Sequence, residues 1–166
     1  MIDPNIELTP DDDGKTHLNL ASKAKTKLGK AMSNFGHYPF NHPKYGCFES
    51  VEGFQYWLIL GGKHDELRLA HGYPAKQLGD RLCEENPQNV VPFTMESRED
   101  MLEALRCKLR QNRGLLHMLV NTKLPLVHYN WYGKNGNYKI YRYEDFQWFI
   151  DEVERIRTVC QEKWSN

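Results

Sequence analysis

Apolar residues recur at helical spacing along much of this chain and alternate at strand spacing in two shorter stretches. Ser50 is a good N-cap, and the spacing predicts a helix from Val51 to about Leu60, stopped by Gly61 and Gly62. "KHDELRLAHG" predicts a short helix ended by Gly72. Pro74 sits at a first helical position of the next helix, which runs to about Glu85. "SREDMLEALRCKLRQN" carries Met101, Leu105 and Leu109 on one face, with Ser97 and Asp100 in capping-box-like spacing. Gly114 breaks it before "LLHMLVNT". Phe146, Phe149, Ile150, Val153 and Ile156 mark an amphipathic C-terminal helix.

Strand spacing is seen in "THLNLAS" and in "LPLVHYNWYGKNGNYKIYRY". The second reads as a hairpin around Asn135-Gly136, a type I′ turn pair. "MSNFGHYPFNHPKYG", with its prolines and glycines, reads as an ordered loop, as does "NPQNVVPF". "KAKTKLGK" has four lysines in eight residues and reads as a solvated loop rather than a phosphate grip. Residues 1–15 are acidic and aperiodic, and are expected to form a flexible arm; residues 16–166 then form one domain. The fold class is α+β, with more helix than strand and a small sheet or hairpin.

Composition narrows the function classes. The 22 basic and 22 acidic residues cancel, so there is no global attraction for nucleic acid or an anionic membrane, although a local basic patch is compatible with that balance. There is no apolar leader-like run and no stretch of membrane-spanning length, so no membrane partner is expected. Cys47, Cys83, Cys107 and Cys160 are scattered, which fits reduced thiols in a cytoplasm. His37, His42 and Cys47 match no zinc spacing, and no metal or other cofactor is expected.

The chemistry centres on "FESVEGFQYWLILGG". Glu49 and Glu52 open an aromatic run, and Glu52 falls in the first turn of the helix that Ser50 caps. Helix stabilisation alone accounts for a glutamate there. The aromatic neighbours Phe54, Tyr56 and Trp57 add a second reading, a carboxylate walled by rings. Such a group stabilises the positive charge that develops on ribose as a base departs. The helix N-terminus favours the ionised form, so a stabiliser or base role is expected over a general acid.

The order of short motifs resembles the YbiA-like, or NADAR, superfamily. "SNF" at Ser33–Phe35 precedes "SVE" at Ser50–Glu52 by 17 residues, and "AKQLGDR" follows at Ala75–Arg81. "MLEALRCKLRQN", "LLHMLVNT" and "WYG" then come in the family's order, where the patterns are "G-x-x-SNF…PF", "SVEH", "AKxxGR", "M…L..K..QN…LL..T" and "WG". The resemblance spans about residues 19 to 133. It implies an N-glycosidase acting on ribosylated or ADP-ribosylated substrates, including the removal of ADP-ribose from guanine in DNA. By matched position Glu52 is the catalytic glutamate and Asn34 a catalytic polar partner. Ser33, Phe35, Phe54, Tyr56, Lys76, Arg81 and Trp131 are substrate-binding positions, with Lys44, Trp57 and His128 as further candidates.

The chain departs from the pattern at several points. Gly53 replaces the family histidine, Leu58 or Ile59 stands where a lysine is common, the acid before "WG" is missing, and Tyr132 is inserted after Trp131. Three readings stay open: an N-glycosidase on an ADP-ribosylated nucleotide or nucleic acid, a binding module for ADP-ribose without turnover, and a metabolic glycosidase for a free nucleotide.

Overall fold

The computed structural model describes residues 7–164. The elements in chain order are β1 (Leu18–Asn19), α1 (Lys27–Met32), β2 (Phe40–His42), β3 (Gly46–Phe48), α2 (Val51–Ile59), α3 (Gly72–Glu85), α4 (Met95–Gln111), α5 (Arg113–Asn121), β4 (Leu126–Val127), β5 (Tyr129–Lys134), β6 (Asn137–Arg142) and α6 (Gln147–Trp164). Short 3-10 turns lie at Pro10–Asp12, Asp65–Leu69, Pro87–Asn89 and Glu144–Phe146. The fold is helix-rich α+β, with its strands in pairs. The chain divides into two compact units, residues Met1–Ser33 with Gly114–Asn166, and residues Asn34–Arg113.

In the first unit β1 pairs in parallel with β4, Leu18 opposite Leu126 and Asn19 opposite Val127. Asn19 fastens the next strand through its side chain: Nδ2 donates to the Tyr129 carbonyl at 3.0 Å, and Tyr129 N–H donates to Oδ1 at 3.0 Å. β5 and β6 form the hairpin expected around Asn135-Gly136, and both turn residues have positive φ, as a type I′ turn requires. α6 buries Phe149, Ile150 and Val153. Arg157 on α6 donates to the carbonyls of Thr122 and Leu124, satisfying backbone acceptors beyond the end of α5.

The flexible-arm expectation is corrected for residues 7–15; residues 1–6 lie outside the described residues. Thr9 caps the turn at Pro10–Asp12, and Asp13 is buried, accepting the backbone N–H groups of Asn19 and Lys25 at 2.9 and 2.7 Å. The lysine-rich segment is also more ordered than expected. Thr26 accepts from Gly29 N–H and starts α1 inside it, a capping signal that the lysines obscured.

The second unit is built around an aromatic core. The Phe54 ring packs against Phe40, Phe48, Tyr45 and Trp57, with centroids 4.9 to 6.3 Å apart. The segment read as a loop contains the β2–β3 hairpin, which supplies Phe40 and Phe48. Gln111 clamps β2 from α4: Asn41 N–H donates to its Oε1 at 2.7 Å, and its Nε2 donates to the Asn41 carbonyl at 2.9 Å. α4 starts at Met95, with Thr94 and Ser97 forming the capping box in place of Ser97 and Asp100. The break between α4 and α5 falls at Asn112, so Gly114 lies inside α5.

Candidate active site

Two contacts set the start of α2. Ser50 Oγ accepts from Gly53 N–H at 3.0 Å and donates to the Ala70 carbonyl at 2.8 Å. The second contact draws the 3-10 turn at Asp65–Leu69 and its exit onto the first turn of the helix. Gly53 makes that approach possible, because a Cβ there would stand 2.3 Å from the Leu67 carbonyl oxygen. Position 53 therefore has no room for a side chain.

The two glutamates of the opening motif part company. Glu49 is half-buried, and its Oε2 accepts from His37 Nε2 at 2.5 Å. The His37 ring stacks on His71, with centroids 3.9 Å apart. Glu52 is only 8% exposed. Burial raises its pKa from 4.5 to about 7, with Lys76 pulling it down and Asp80 pushing it up. Desolvation is the largest of these influences, and it acts against the ionised form that a helix N-terminus favours. Near neutrality this carboxyl can both accept and release a proton.

Asn34 lies against the same turn. Its carbonyl accepts Glu52 N–H at 2.9 Å, and its Nδ2 donates to Gln55 Oε1 at 3.1 Å. Its Oδ1 is buried and has no partner, the one such side-chain atom among the described residues. A buried carbonyl oxygen left in this state loses free energy, so it is a ready acceptor for a hydroxyl or a water.

One helical turn beyond Glu52, Tyr56 meets α3. Its ring lies over Gly79, where a Cβ would come within 2.1 Å of the ring carbon Cγ. The Tyr56 hydroxyl donates to Asp80 Oδ1. Lys76 Nζ donates to Asp80 Oδ2 at 2.7 Å and lies 3.5 Å from the Tyr56 hydroxyl. The hydrogen bond to Asp80 is the largest cause raising the Lys76 pKa, and the Lys76 ammonium holds the Asp80 carboxyl below its usual range. Glu52, Asn34, Tyr56 and Lys76 are therefore brought together, with Gln55 and Asp80 as added members.

Other sequence candidates have different surroundings. Phe54 is wholly buried and Trp57 nearly so, and Trp57 Nε1 donates to Asp65 at 3.1 Å. Phe54 is corrected from a ligand wall to core, since no face of its ring is open. Arg81 points along its own helix to Glu85 at 4.0 Å. Lys44 pairs with Glu96 at 2.8 Å. Phe35 is half-buried, and its carbonyl accepts Gly72 N–H at 3.0 Å. Ser33, Trp131 and His128 belong to the first unit. Ser33 ends α1, its Oγ donating to the Lys30 carbonyl at 2.7 Å. His128 Nδ1 donates to the Leu20 carbonyl at 2.8 Å, and burial lowers its pKa, so it is a neutral packing histidine. Trp131 Nε1 donates to the Lys23 carbonyl at 3.2 Å.

Two residues escape a reading of the sequence. Asp80 is visible there only as the i+4 partner of Lys76. Lys108 is fully buried on α4, its pKa lowered to about 7 by burial, with Nζ 5.5 Å from the Tyr38 ring centroid. Its signal is its place on the apolar stripe, seven residues after Met101 and three after Leu105.

Three surface cavities, of about 840, 590 and 450 Å³, are each lined by first-unit residues alone, so none of the three is the Glu52 site. Among the described residues no group of three or more His, Cys, Asp or Glu side chains is arranged to hold a metal ion, and no helix is long and apolar enough to cross a membrane. Comparison with protein-family models, curated proteins and solved structures finds no match to the chain.

Proposed function

We propose that this protein is an N-glycosidase that cleaves a ribosyl–base bond, with an ADP-ribosylated guanine or related nucleotide as substrate. The observation that carries the reading is Glu52, a carboxyl buried at the head of α2 and poised near neutrality, with the unpartnered Asn34 Oδ1 beside its turn. The resemblance of the motif order to the NADAR superfamily supports the same chemistry.

In this mechanism Glu52 in its ionised form faces the cationic sugar as the C1′–N bond breaks and the bonding pair leaves with the base. Water adds to C1′, and Glu52 takes the water proton. That proton then passes to the departing base nitrogen, so one water is consumed and Glu52 is restored. Asn34 Oδ1 accepts from a ribose hydroxyl or from the attacking water. Tyr56 and Lys76 border the site. For Lys76 to hold a phosphate, the anion must displace or share it with Asp80.

Incubation with an oligonucleotide bearing ADP-ribosylated guanine, followed by chromatography of the products, tests the reading. Release of ADP-ribose by the native chain and not by Glu52→Gln is the expected result. No release from the modified oligonucleotide or from free ribosylated nucleotides overturns it. A second reading, binding of ADP-ribose without turnover, is favoured by the closed backbone at Gly53, which excludes the family histidine. Calorimetric binding of ADP-ribose with no product formed separates the two.

A further inference from the structure

The first unit carries a lysine cluster that the Glu52 chemistry does not use. Lys23 and Lys25 precede α1, and Lys30 lies within it. They line a surface cavity of about 450 Å³ together with Trp131 and Tyr132 of β5, and no acidic residue lines it. Two of the ammonium groups sit over rings: Lys23 Nζ is 4.1 Å from the Tyr132 centroid and Lys25 Nζ 4.7 Å from that of Trp131. The segment and the strand are also tied by backbone. Lys23 Nζ donates to the Trp131 carbonyl at 3.4 Å, and Trp131 Nε1 returns a bond to the Lys23 carbonyl.

These cations are not compensated by carboxylates. Among the described residues none of Lys23, Lys25, Lys27 or Lys30 forms an ion pair, whereas Lys44 and Lys76 of the second unit both do. The nearest acid along the segment is Asp13, which is buried and occupied by the N–H groups of Asn19 and Lys25. The face continues over the hairpin, where the Tyr132 ring meets Tyr141 edge-on, and Lys139 Nζ lies 5.0 Å from the Tyr141 centroid. Tyr132 is 57% exposed. An exposed ring on a cationic surface, in a chain of zero net charge, is a local feature and not a consequence of composition.

The geometry points to a binding face for single-stranded nucleic acid, with phosphates received by Lys23, Lys25 and Lys30 and a base stacked on Tyr132. Lysines alone serve any polyanion. The exposed Tyr132 ring, with Lys23 over one face, selects a ligand that has flat faces to offer, and a duplex keeps its base faces stacked inside. Trp131, half-buried and held by its indole N–H, fixes the strand that presents Tyr132. The inference stands on the first unit alone and does not rest on the Glu52 reading.

Fluorescence anisotropy with an unmodified, labelled oligothymidylate of about a dozen nucleotides tests it, since single-strand sites commonly span about 4–16 nucleotides. Such a probe carries no ADP-ribose, so its outcome is separate from that of the glycosidase assay. Binding that weakens as salt rises is expected. Lys23→Ala with Lys25→Ala should weaken it at least about tenfold, and Tyr132→Ala should do so by about five- to tenfold while the circular dichroism stays native, in line with the loss of one stacked base. The same probe made duplex should bind more weakly. Equal affinity for duplex and single strand, an unaffected Tyr132→Ala, or binding of anionic phospholipid vesicles without binding of the oligonucleotide would each overturn the assignment.

Discussion

Lys76 and Lys23 are both lysines beside a tyrosine, yet their electrostatic settings are opposite. Lys76 approaches the Tyr56 hydroxyl and is held by Asp80 at 2.7 Å, one turn along the same helix. Lys23 lies over the face of Tyr132 with no carboxylate against it. The first arrangement is closed: charge is neutralised within it, and its effect reaches outward mainly as a bias on the proton of Glu52. The second is open and presents net positive charge to solvent. An anion arriving at Lys76 must compete with Asp80, while one arriving at Lys23 meets no carboxylate, only the Tyr132 ring and a long contact to the Trp131 carbonyl. Sequence alone ranks them the other way, with Lys76 as the phosphate candidate and the lysine run as a solvated loop.

The largest expected effect breaks the closed region at its centre. Glu52→Gln keeps the size of the side chain and removes the anion, and turnover should fall by about 10² to 10³. Product release measured at saturating substrate checks this, and near-native activity removes Glu52 from the chemistry.

The same variant should be more stable than the native chain above neutral pH. The folded pKa of Glu52 is raised from 4.5 to about 7, so its ionisation adds no penalty below about pH 4.5 and destabilises progressively as pH rises towards 7. A shift of that size corresponds to roughly 3 kcal/mol. Urea denaturation at pH 5 and pH 8 should therefore show a gain for Glu52→Gln that is larger at pH 8. An equal gain at both values contradicts the buried carboxyl.

Gly79→Ala tests the contact that seats Tyr56. The added methyl meets the ring at 2.1 Å, and overpacking of this kind costs about 1–3 kcal/mol. Thermal or urea unfolding should record the loss, while oligothymidylate binding by the lysine face should persist in the folded fraction. An unchanged midpoint shows that the two helices part freely at this point.

The smallest effect separates the two members of the ion pair. Lys76→Ala removes the cation that lowers the Glu52 pKa, and Asp80→Asn removes the anion that raises it. Nuclear magnetic resonance titration of the Glu52 carboxyl carbon should move upward in the first variant and downward in the second. Movement in the same direction in both, or none, places the pair out of electrostatic reach of Glu52.

Much of the helical framework is legible in the sequence because its signals are local. Ser50 caps α2 as expected, and Asn135-Gly136 turns the β5–β6 hairpin as expected. The start of α1 at Thr26 and the β2–β3 pairing are not legible, since lysines and prolines dominate those stretches and the pairing of three-residue strands depends on what packs over them. Of the candidate site, Glu52, Asn34 and Lys76 stand out in the sequence by the motif order and Tyr56 by the aromatic run that follows Glu52. Asp80 is hidden as an ordinary helix-surface acid, and Phe54 is misplaced because an aromatic next to a carboxylate looks the same in sequence whether it faces a ligand or the core.

Periodicity, capping and turn chemistry act over a few residues, so the chain by itself determined where most helices run and that Glu52 heads one of them. Burial and pairing join residues far apart along the chain. The carbonyl of Leu67 closing over Gly53, the Tyr56 ring seated on Gly79, and the orphaned Oδ1 of Asn34 exist only once α2, α3 and their connections have packed. That packing buries Glu52, and the loss of solvation, which no local sequence signal carries, is the largest influence raising its pKa.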